Sequence, residues 1–316
     1  MRKALVIGIN KYNFGNLTGC INDANKVTNL LARNEDGSKN FDVKKITDEY
    51  NYSINKNYLN TEIKKLFESD CEVVLLYFSG HGAIETTGGY ILTPDCESIE
   101  SGISMEYILK LINNSKAKNK FIILDCCNSG SLGGLSILND NSSLLSDGTI
   151  VLTSSKENEV SLEKDGHGLF TSLLISALEG DASDLLGNIT MASIYSYIDS
   201  ALGMWDQRPI FKTNISKFIS VRNVEPSIEI KKLRNLTKYF PDIDYKYKLD
   251  KSYEPTEKCK IEENTRIFGE LQKMVSLGLV RPVGEKHMYY AAINNKSCEL
   301  TNLGARYWKL IHLDRI

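Results

Sequence analysis

FIILDCCNSG, residues 121–130, is an apolar run that ends in an aspartate, two adjacent cysteines and a turn closed by glycine. Its apolar residues are consecutive, which is typical of a strand buried on both faces of a parallel sheet. A cysteine at the end of such a strand is either a small core residue or a nucleophile presented where the strand stops. The two cysteines alone leave both interpretations open.

The first two-thirds of the chain alternates strand-like runs with stretches of helical periodicity. The predicted strands cover residues 3–9, 43–47, 72–80, 120–127 and 149–155. The predicted helices cover residues 22–34, 55–69, 104–115, 168–179 and 190–202. Asn22 and Ser104 are the expected N-caps of two of them. The alternation predicts an α/β fold, a three-layer sandwich around a mostly parallel sheet of about six strands.

The last third of the chain has a different pattern. It carries a net charge of +4, whereas the preceding residues carry −6. A helical period is followed by two apolar runs, LVRPV and MYYAAI (288–293), which we predict to be the two strands of a hairpin before a final helix. The sequence therefore predicts two domains, residues 1–222 and a smaller α+β domain, residues 223–316, whose element order resembles a winged helix.

Composition and cysteine usage exclude several classes of protein. No apolar run approaches the roughly 18 residues of a membrane span, and the basic start lacks a signal-peptide cleavage site. The seven cysteines are irregularly spaced, with no Cys-x-x-Cys pair and no Cys/His spacing typical of zinc. We therefore expect no disulfide framework and no membrane partner, and a cytoplasmic location.

A histidine follows the strand that precedes the cysteine strand. The run VVLLYFSG leads into His81 and Gly82, and His81 lies 46 residues before Cys127. That separation fits one strand–helix–strand unit, so parallel strands would bring both residues to the carboxyl edge of the sheet. An imidazole beside a thiol accepts its proton and produces the reactive thiolate. Each residue alone is more often structural, but the pair favours chemistry.

Four blocks of the sequence resemble one known family. YFSGHG (77–82) and LDCCNSG (124–130) look like the His and Cys signatures of the caspase-like cysteine peptidases, in their metacaspase and bacterial branch. Residues 4–31 are similar to that family's opening strand and first helix, and residues 153–180 to its segment after the nucleophile. The resemblance covers about residues 3–215 and implies a caspase-like fold with cysteine endopeptidase activity.

The resemblance assigns roles to individual residues. The family's pattern Asp-x-Cys-x-Ser-Gly falls on Asp125, Cys127, Ser129 and Gly130. It implies that Cys127 is the nucleophile, that His81 is the general base, and that Cys126 fills a variable position, as a packing residue or as a wall of the site. The backbone N–H groups of Gly82 and Cys127 are the expected donors to the oxyanion. The resemblance implies a catalytic Cys–His dyad, and no third catalytic residue is evident in the sequence.

The same resemblance implies a preference for basic substrates. The metacaspase branch holds Arg or Lys with acidic residues, and Asp23 and Asp125 occupy the matching positions. Two carboxylates suit a guanidinium group, which forms paired hydrogen bonds with them. The alternative is that Asp23 only favours the start of its helix through the helix dipole. We expect cleavage after Arg or Lys.

Activation and cofactors follow less directly from the sequence. Residues 131–148, where many relatives are cleaved, contain no Lys or Arg, so self-processing there is not expected of an Arg/Lys-specific enzyme. No cofactor is expected. Calcium dependence stays open, because Asp95 and Asp140 are available but form no convincing cluster of oxygen ligands.

Two other functions remain as alternatives. In the first, the chain would be a non-catalytic caspase-like adaptor. In the second, it would be a regulator that binds DNA through the C-terminal domain. The predicted helix 262–277 disfavours DNA, because it presents Glu262, Glu263 and Glu270 against few basic residues. A regulatory protein or a small-molecule signal fits that domain better. By analogy with the family, the protein is a regulated effector in bacterial stress, cell death or antiphage defence.

Overall fold

The computed structural model describes residues 1–50, 54–127, 145–154, 168–203 and 208–316. The chain forms two compact units. One comprises Met1–Ser183 and Gly187–Glu225, and the other Asp184–Leu186 and Pro226–Ile316. In the described part of the chain, no helix is long and apolar enough to cross a membrane.

The first unit is built on a mostly parallel sheet, as the sequence predicts. Its strands are β1 (Arg2–Gly8), β2 (Asp42–Thr47), β3 (Val73–Glu85), β4 (Gly88–Ile91), β5 (Ile103–Ser104), β6 (Asn119–Cys127), β7 (Thr149–Thr153), β8 (Asn188–Thr190), β9 (Ile210–Asn214) and β10 (Ser220–Asn223). The main path runs β2-β1-β3-β6-β7-β9, with only β9 antiparallel to its neighbour. The strands β4 and β5 extend the end of β3, and β8 pairs with β10 separately. The α/β fold class is confirmed.

Helices cover both faces of this sheet. They are α1 (Cys20–Ala32), α2 (Lys56–Phe67), α3 (Met105–Asn113), α4 (Leu169–Ser176) and α5 (Met191–Ala201). One core, on what we call the α2/α3 face, contains Ile122 and Leu124 of β6; the other, on the α1/α4 face, contains Phe121 and Ile123. Alternate residues of a strand point to opposite faces, so a consecutive apolar run fills both cores.

The starts of two helices test the predicted caps. Ser104 caps α3, where its Oγ accepts from the backbone N–H of Tyr107 at 3.2 Å. Asn22 is not the cap of α1, which begins at Cys20 after Gly19. The reason is tertiary: the backbone N–H of Cys20 donates to Oδ1 of Asn10 at 3.0 Å, so a side chain ten residues upstream supplies the acceptor.

The second unit is a small α+β structure. Its elements are α6 (Ile230–Leu233), α7 (Leu236–Tyr239), β11 (Tyr247–Lys248), α8 (Glu262–Ser276), β12 (Val280–Val283), α9 (Met288–Ile293), β13 (Ser297–Leu300) and α10 (Asn302–His312). The strands form an antiparallel sheet in the order β11-β13-β12. Phe240, Phe268 and Trp308 pack in its core, and the indole N–H of Trp308 donates to the carbonyl of Phe240 at 2.6 Å.

The predicted strand MYYAAI is wrong, because these residues form α9. Met288, Ala291 and Ala292 are buried at the i, i+3, i+4 spacing of a helix, while Tyr289 and Tyr290 are both exposed. The partner of β12 is instead β13, so a helix separates the two strands of the hairpin. The winged-helix interpretation is not confirmed.

Candidate active site

The candidate site lies beside the ends of β1 and β6 and the middle of β3, on the α1/α4 face. The parallel register aligns Gly8, Ser79 and Asp125 in one row across the three strands. Two residues further along, His81 on β3 is paired with Cys127 on β6. Neighbouring strands are about 4.8 Å apart, so the backbones of His81 and Cys127 are adjacent. The side chain of Cys127 lies outside the described part of the structure.

The imidazole of His81 is held by the loop that follows β1. Its Nε2 lies 2.8 Å from the carbonyl oxygen of Gly15. A carbonyl only accepts, so Nε2 carries the proton and Nδ1 is left as the acceptor. The ring of Tyr12 packs edge-on against the imidazole at 4.7 Å, and the ring of Phe14 lies 5.5 Å away. The geometry therefore fixes both the tautomer and the orientation of His81.

A buried carboxylate anchors the same loop. Asp48, which follows β2, accepts hydrogen bonds from the backbone N–H groups of Asn10 and Lys11, at 3.1 and 2.5 Å. The side-chain amide of Asn10 donates to the backbone carbonyl of Thr18 at 3.1 Å. These bonds hold the segment that carries Tyr12, so the support of the histidine extends back to β2.

Two glycines flank His81 for steric reasons. A Cβ on Gly80 would lie 2.4 Å from the hydroxyl of Tyr12, which accepts the backbone N–H of His81 at 3.1 Å. A Cβ on Gly82 would lie 2.8 Å from the Cβ of Cys126. Cβ atoms essentially never come this close to other atoms, so both glycines permit packing that any larger residue would disturb.

The acidic side of the site consists of two aspartates, each bonded by a hydroxyl. Asp23, in the first turn of α1, is only 3% exposed, and its Oδ2 accepts from the hydroxyl of Ser79 at 3.0 Å. Asp125 is half-buried, and its Oδ2 accepts from the hydroxyl of Thr171 at 2.7 Å. The hydroxyl of Tyr77 lies 2.7 Å from that of Thr171.

The surroundings of Tyr77, including the two aspartates, shift its pKa. Burial raises its pKa well above the ordinary value, and the charges of Asp23 and Asp125 raise it further, against a smaller opposing effect of the Thr171 hydrogen bond. The phenol therefore stays protonated and neutral. Both aspartates therefore lie close enough to the hydroxyl of Tyr77 to influence it.

The comparisons with known proteins agree with this architecture. A family model of the caspase domain matches residues 1–220. The chain belongs to the caspase family. Protein GSU0716 from Geobacter sulfurreducens has a similar fold, with 17% sequence identity and a TM-score of 0.50 over 71% of this chain and 97% of that one.

Two caspase structures are also similar to the chain. Caspase-1 from Spodoptera frugiperda is 13% identical, with a TM-score of 0.49 over 70% of this chain and 90% of that one. The structure of pro-sf-caspase-1 is 13% identical, with a TM-score of 0.47 over 71% of this chain and 93% of that one. These likenesses concern the fold alone. No curated protein is significantly similar to the chain in sequence.

Within this caspase domain, the predicted residues fall into two groups. His81 and Cys127 share one register position, and Asp23 and Asp125 both lie near Tyr77. Cys126, predicted to pack, is fully buried in the core of the α2/α3 face. The last two residues of the family pattern, Ser129 and Gly130, lie outside the described residues.

Of the two acids considered for calcium, only Asp95 lies in the described part of the chain. Asp95 accepts from the backbone N–H of Lys56 at 3.1 Å and from the hydroxyl of Thr93 at 2.6 Å, so it supports the start of α2. Asp140 lies outside the described residues. Among the residues that are described, no group of three or more His, Cys, Asp or Glu is arranged to hold a metal ion.

The residues that hold His81 and the two aspartates in place are not among the predicted site residues. Ser79 precedes His81 by two positions on a strand, so alternation alone places both side chains on one face. Tyr12 and Gly15 lie in the segment that resembles the family's opening, but the sequence contains no signal for a contact with His81. Thr171 is similarly hidden in an apolar helix, where a lone hydroxyl is ordinary.

Proposed function

We propose that this protein is a cysteine endopeptidase in which Cys127 is the nucleophile and His81 the general base. The observation that carries the proposal is the pairing of these two residues in the parallel register, together with the tautomer of His81. With Nε2–H bonded to Gly15, Nδ1 is the nitrogen that can take a proton. Membership of the caspase family supports the same chemistry.

The proposed reaction follows acyl transfer to sulfur. Nδ1 of His81 takes the thiol proton of Cys127, and the thiolate attacks the scissile carbonyl carbon. The backbone N–H groups of Gly82 and Cys127 stabilise the negative oxygen. The C–N bond then breaks as His81 protonates the leaving amine. Water, deprotonated by His81, hydrolyses the thioester and restores the thiol.

We further propose that the peptidase cleaves after Arg or Lys. Asp23 and Asp125 support this specificity, because both carboxylates lie near the hydroxyl of Tyr77 and each accepts a hydrogen bond from a hydroxyl of the protein. A substrate guanidinium would bind the half-buried carboxylate of Asp125, and the negative charge of Asp23 nearby would favour a cation over a neutral side chain. The row of Ser79 and Asp125 adjoins the row of His81 and Cys127, as a P1 pocket must adjoin the nucleophile.

Fluorogenic peptides that differ only in an Arg, Lys or Asp at P1 test the proposal. We expect cleavage of the Arg and Lys peptides, loss of cleavage in Cys127→Ala, and retention of cleavage in Cys126→Ala, the matched control. Cleavage that survives in Cys127→Ala would remove the assignment of the nucleophile. A preference for Asp would overturn the pocket, and a folded protein without any cleavage would favour a caspase-like adaptor.

The last part of the proposal concerns regulation. We propose that the protein acts as a single chain in the cytoplasm, as a regulated effector in bacterial stress, cell death or antiphage defence. The unit that includes Pro226–Ile316 would receive a protein or small-molecule signal, and DNA is a weaker candidate partner. The intact mass of the active enzyme tests single-chain activity, and an electrophoretic shift at physiological salt tests DNA binding.

A further inference from the structure

We infer that Thr171 and Tyr77 are positioning residues that set the preference for a basic P1 residue by orienting Asp125. The inference rests on the proposed function, because it names what tunes the pocket of that site. Both residues act through the carboxylate of Asp125, which lies two residues before the nucleophile.

The hydrogen bonds have a defined direction. The carboxylate of Asp125 only accepts, so the hydroxyl proton of Thr171 is used in the 2.7 Å bond to Oδ2. The oxygen of Thr171 must then accept from the hydroxyl of Tyr77, 2.7 Å away. A hydrogen-bond chain therefore runs from Tyr77 through Thr171 to Asp125. The raised pKa of Tyr77 keeps its phenol protonated, so that it can donate.

Burial makes this hydrogen-bond chain rigid. Thr171 and Tyr77 are both 0% exposed, and they come from different elements, α4 and β3. Water cannot replace either hydroxyl without opening the core of the α1/α4 face. Asp125, by contrast, is half-buried and open to a ligand. The buried hydroxyls fix Oδ2, and a substrate cation would bind at Oδ1.

When the hydrogen-bond chain is broken, we expect the enzyme to lose selectivity for a basic P1 residue. Without the hydroxyl of Thr171, the carboxylate of Asp125 is free to rotate, and the phenol of Tyr77 loses its acceptor in a dry environment. A P1 Arg depends on the orientation of the carboxylate, whereas a P1 Gln does not. The discrimination between the two substrates should therefore fall.

Thr171→Val tests the inference, with Thr153→Val as the matched control. Thr153 is 1% exposed, and among the described residues its hydroxyl has no hydrogen-bond partner. For Thr171→Val we expect the ratio of kcat/KM for Arg and Gln peptides to fall about tenfold, mainly through KM for the Arg peptide. Thr171→Ser should restore the ratio, Tyr77→Phe should lower it two- to threefold, and Thr153→Val should leave it unchanged.

A binding measurement separates this inference from the proposed function. In Cys127→Ala protein, p-aminobenzamidine is a probe for a cation pocket that needs no turnover, and Thr171→Val should raise its Kd about tenfold. Failure of the wild type to cleave any peptide would overturn the peptidase proposal and leave this result standing. An unchanged Kd and an unchanged Arg/Gln ratio in Thr171→Val, or equal effects of Thr153→Val, would overturn the inference.

Discussion

The two faces of the central sheet differ most where the strands end. On the α2/α3 face, Phe78, Leu124 and Cys126 are fully buried, and the apolar core reaches the last residues of β6. On the α1/α4 face, the same strands change from apolar to polar at Ser79 and Asp125. The change occurs on one face only, within a single register row.

This contrast shows why neighbours in sequence have different roles. In a strand, one residue faces each core in turn, so Asp125 and Cys126 belong to different environments although they are adjacent. Each aspartate of the site is bonded across the boundary between sheet and helices. Ser79 of β3 donates to Asp23 of α1, and Thr171 of α4 donates to Asp125 of β6. The apolar face instead supplies the stability on which that arrangement stands.

The largest expected effect separates chemistry on one face from stability on the other. His81→Ala should lower kcat/KM about a thousandfold, since it removes the general base, with little change in unfolding free energy. Leu124→Ala should cost about 2–5 kcal/mol of stability through a cavity, with activity per folded molecule retained. Peptide kinetics and urea unfolding measure the two. A folded His81→Ala with normal activity would remove the assignment of the site to this edge.

A smaller effect compares one substitution at two glycines. Gly82→Ala should destabilise the protein by about 1–3 kcal/mol, because the new Cβ would meet Cys126 at 2.8 Å. Gly269→Ala, in the middle of α8 with open space around it, should instead stabilise by about 0.5–1 kcal/mol. Thermal or urea unfolding of both variants measures the difference in sign. The same sign for both would show that the contact with Cys126 is not restrictive.

The smallest effect concerns a carboxylate that supports the fold rather than the site. Glu62 on α2 is bonded by Lys44 at 2.6 Å and Lys65 at 3.0 Å. The hydrogen bond from Lys44 lowers the pKa of Glu62 against the opposing effect of burial, with a smaller contribution from Lys65. The two lysines are largely exposed, so the pairs are worth about 1 kcal/mol or less.

This shift has a defined pH dependence. The folded-state pKa of Glu62 lies below that of the unfolded chain, about 4.3. Its stabilising contribution is therefore present above that pH and is lost as the pH falls through the folded-state pKa. We expect Glu62→Gln to lower Tm by at most about 4 °C at pH 7 and by less near pH 3. An equal difference at both pH values would exclude the charge as the cause.

The predictions from sequence succeeded where the signal is local. Consecutive apolar residues identified the core strands, and the predicted run at 72–80 starts within one residue of β3. That strand nevertheless continues to Glu85, because β4 folds back and pairs with it. The apolar run MYYAAI fits a strand by composition, but burial of Met288, Ala291 and Ala292 selects a helix.

The supports of the site show where local signals end. Asn10 caps a helix that begins ten residues later, and Gly15 bonds an imidazole from β3. Neither contact leaves a pattern in the chain, because the partners meet only after the strands have paired. The same holds for Thr171, whose partner Asp125 is separated from it by 46 residues.

By itself, the sequence determined the α/β class, the order of the core strands in the chain and their approximate extent, because periodicity and residue type act within a few positions. Only the tertiary structure decided the register that pairs His81 with Cys127, the tautomer of the imidazole and the hydroxyls that hold the two aspartates. Those features depend on groups far apart in the chain, and only the packing of helices onto a paired sheet brings such groups within hydrogen-bond distance.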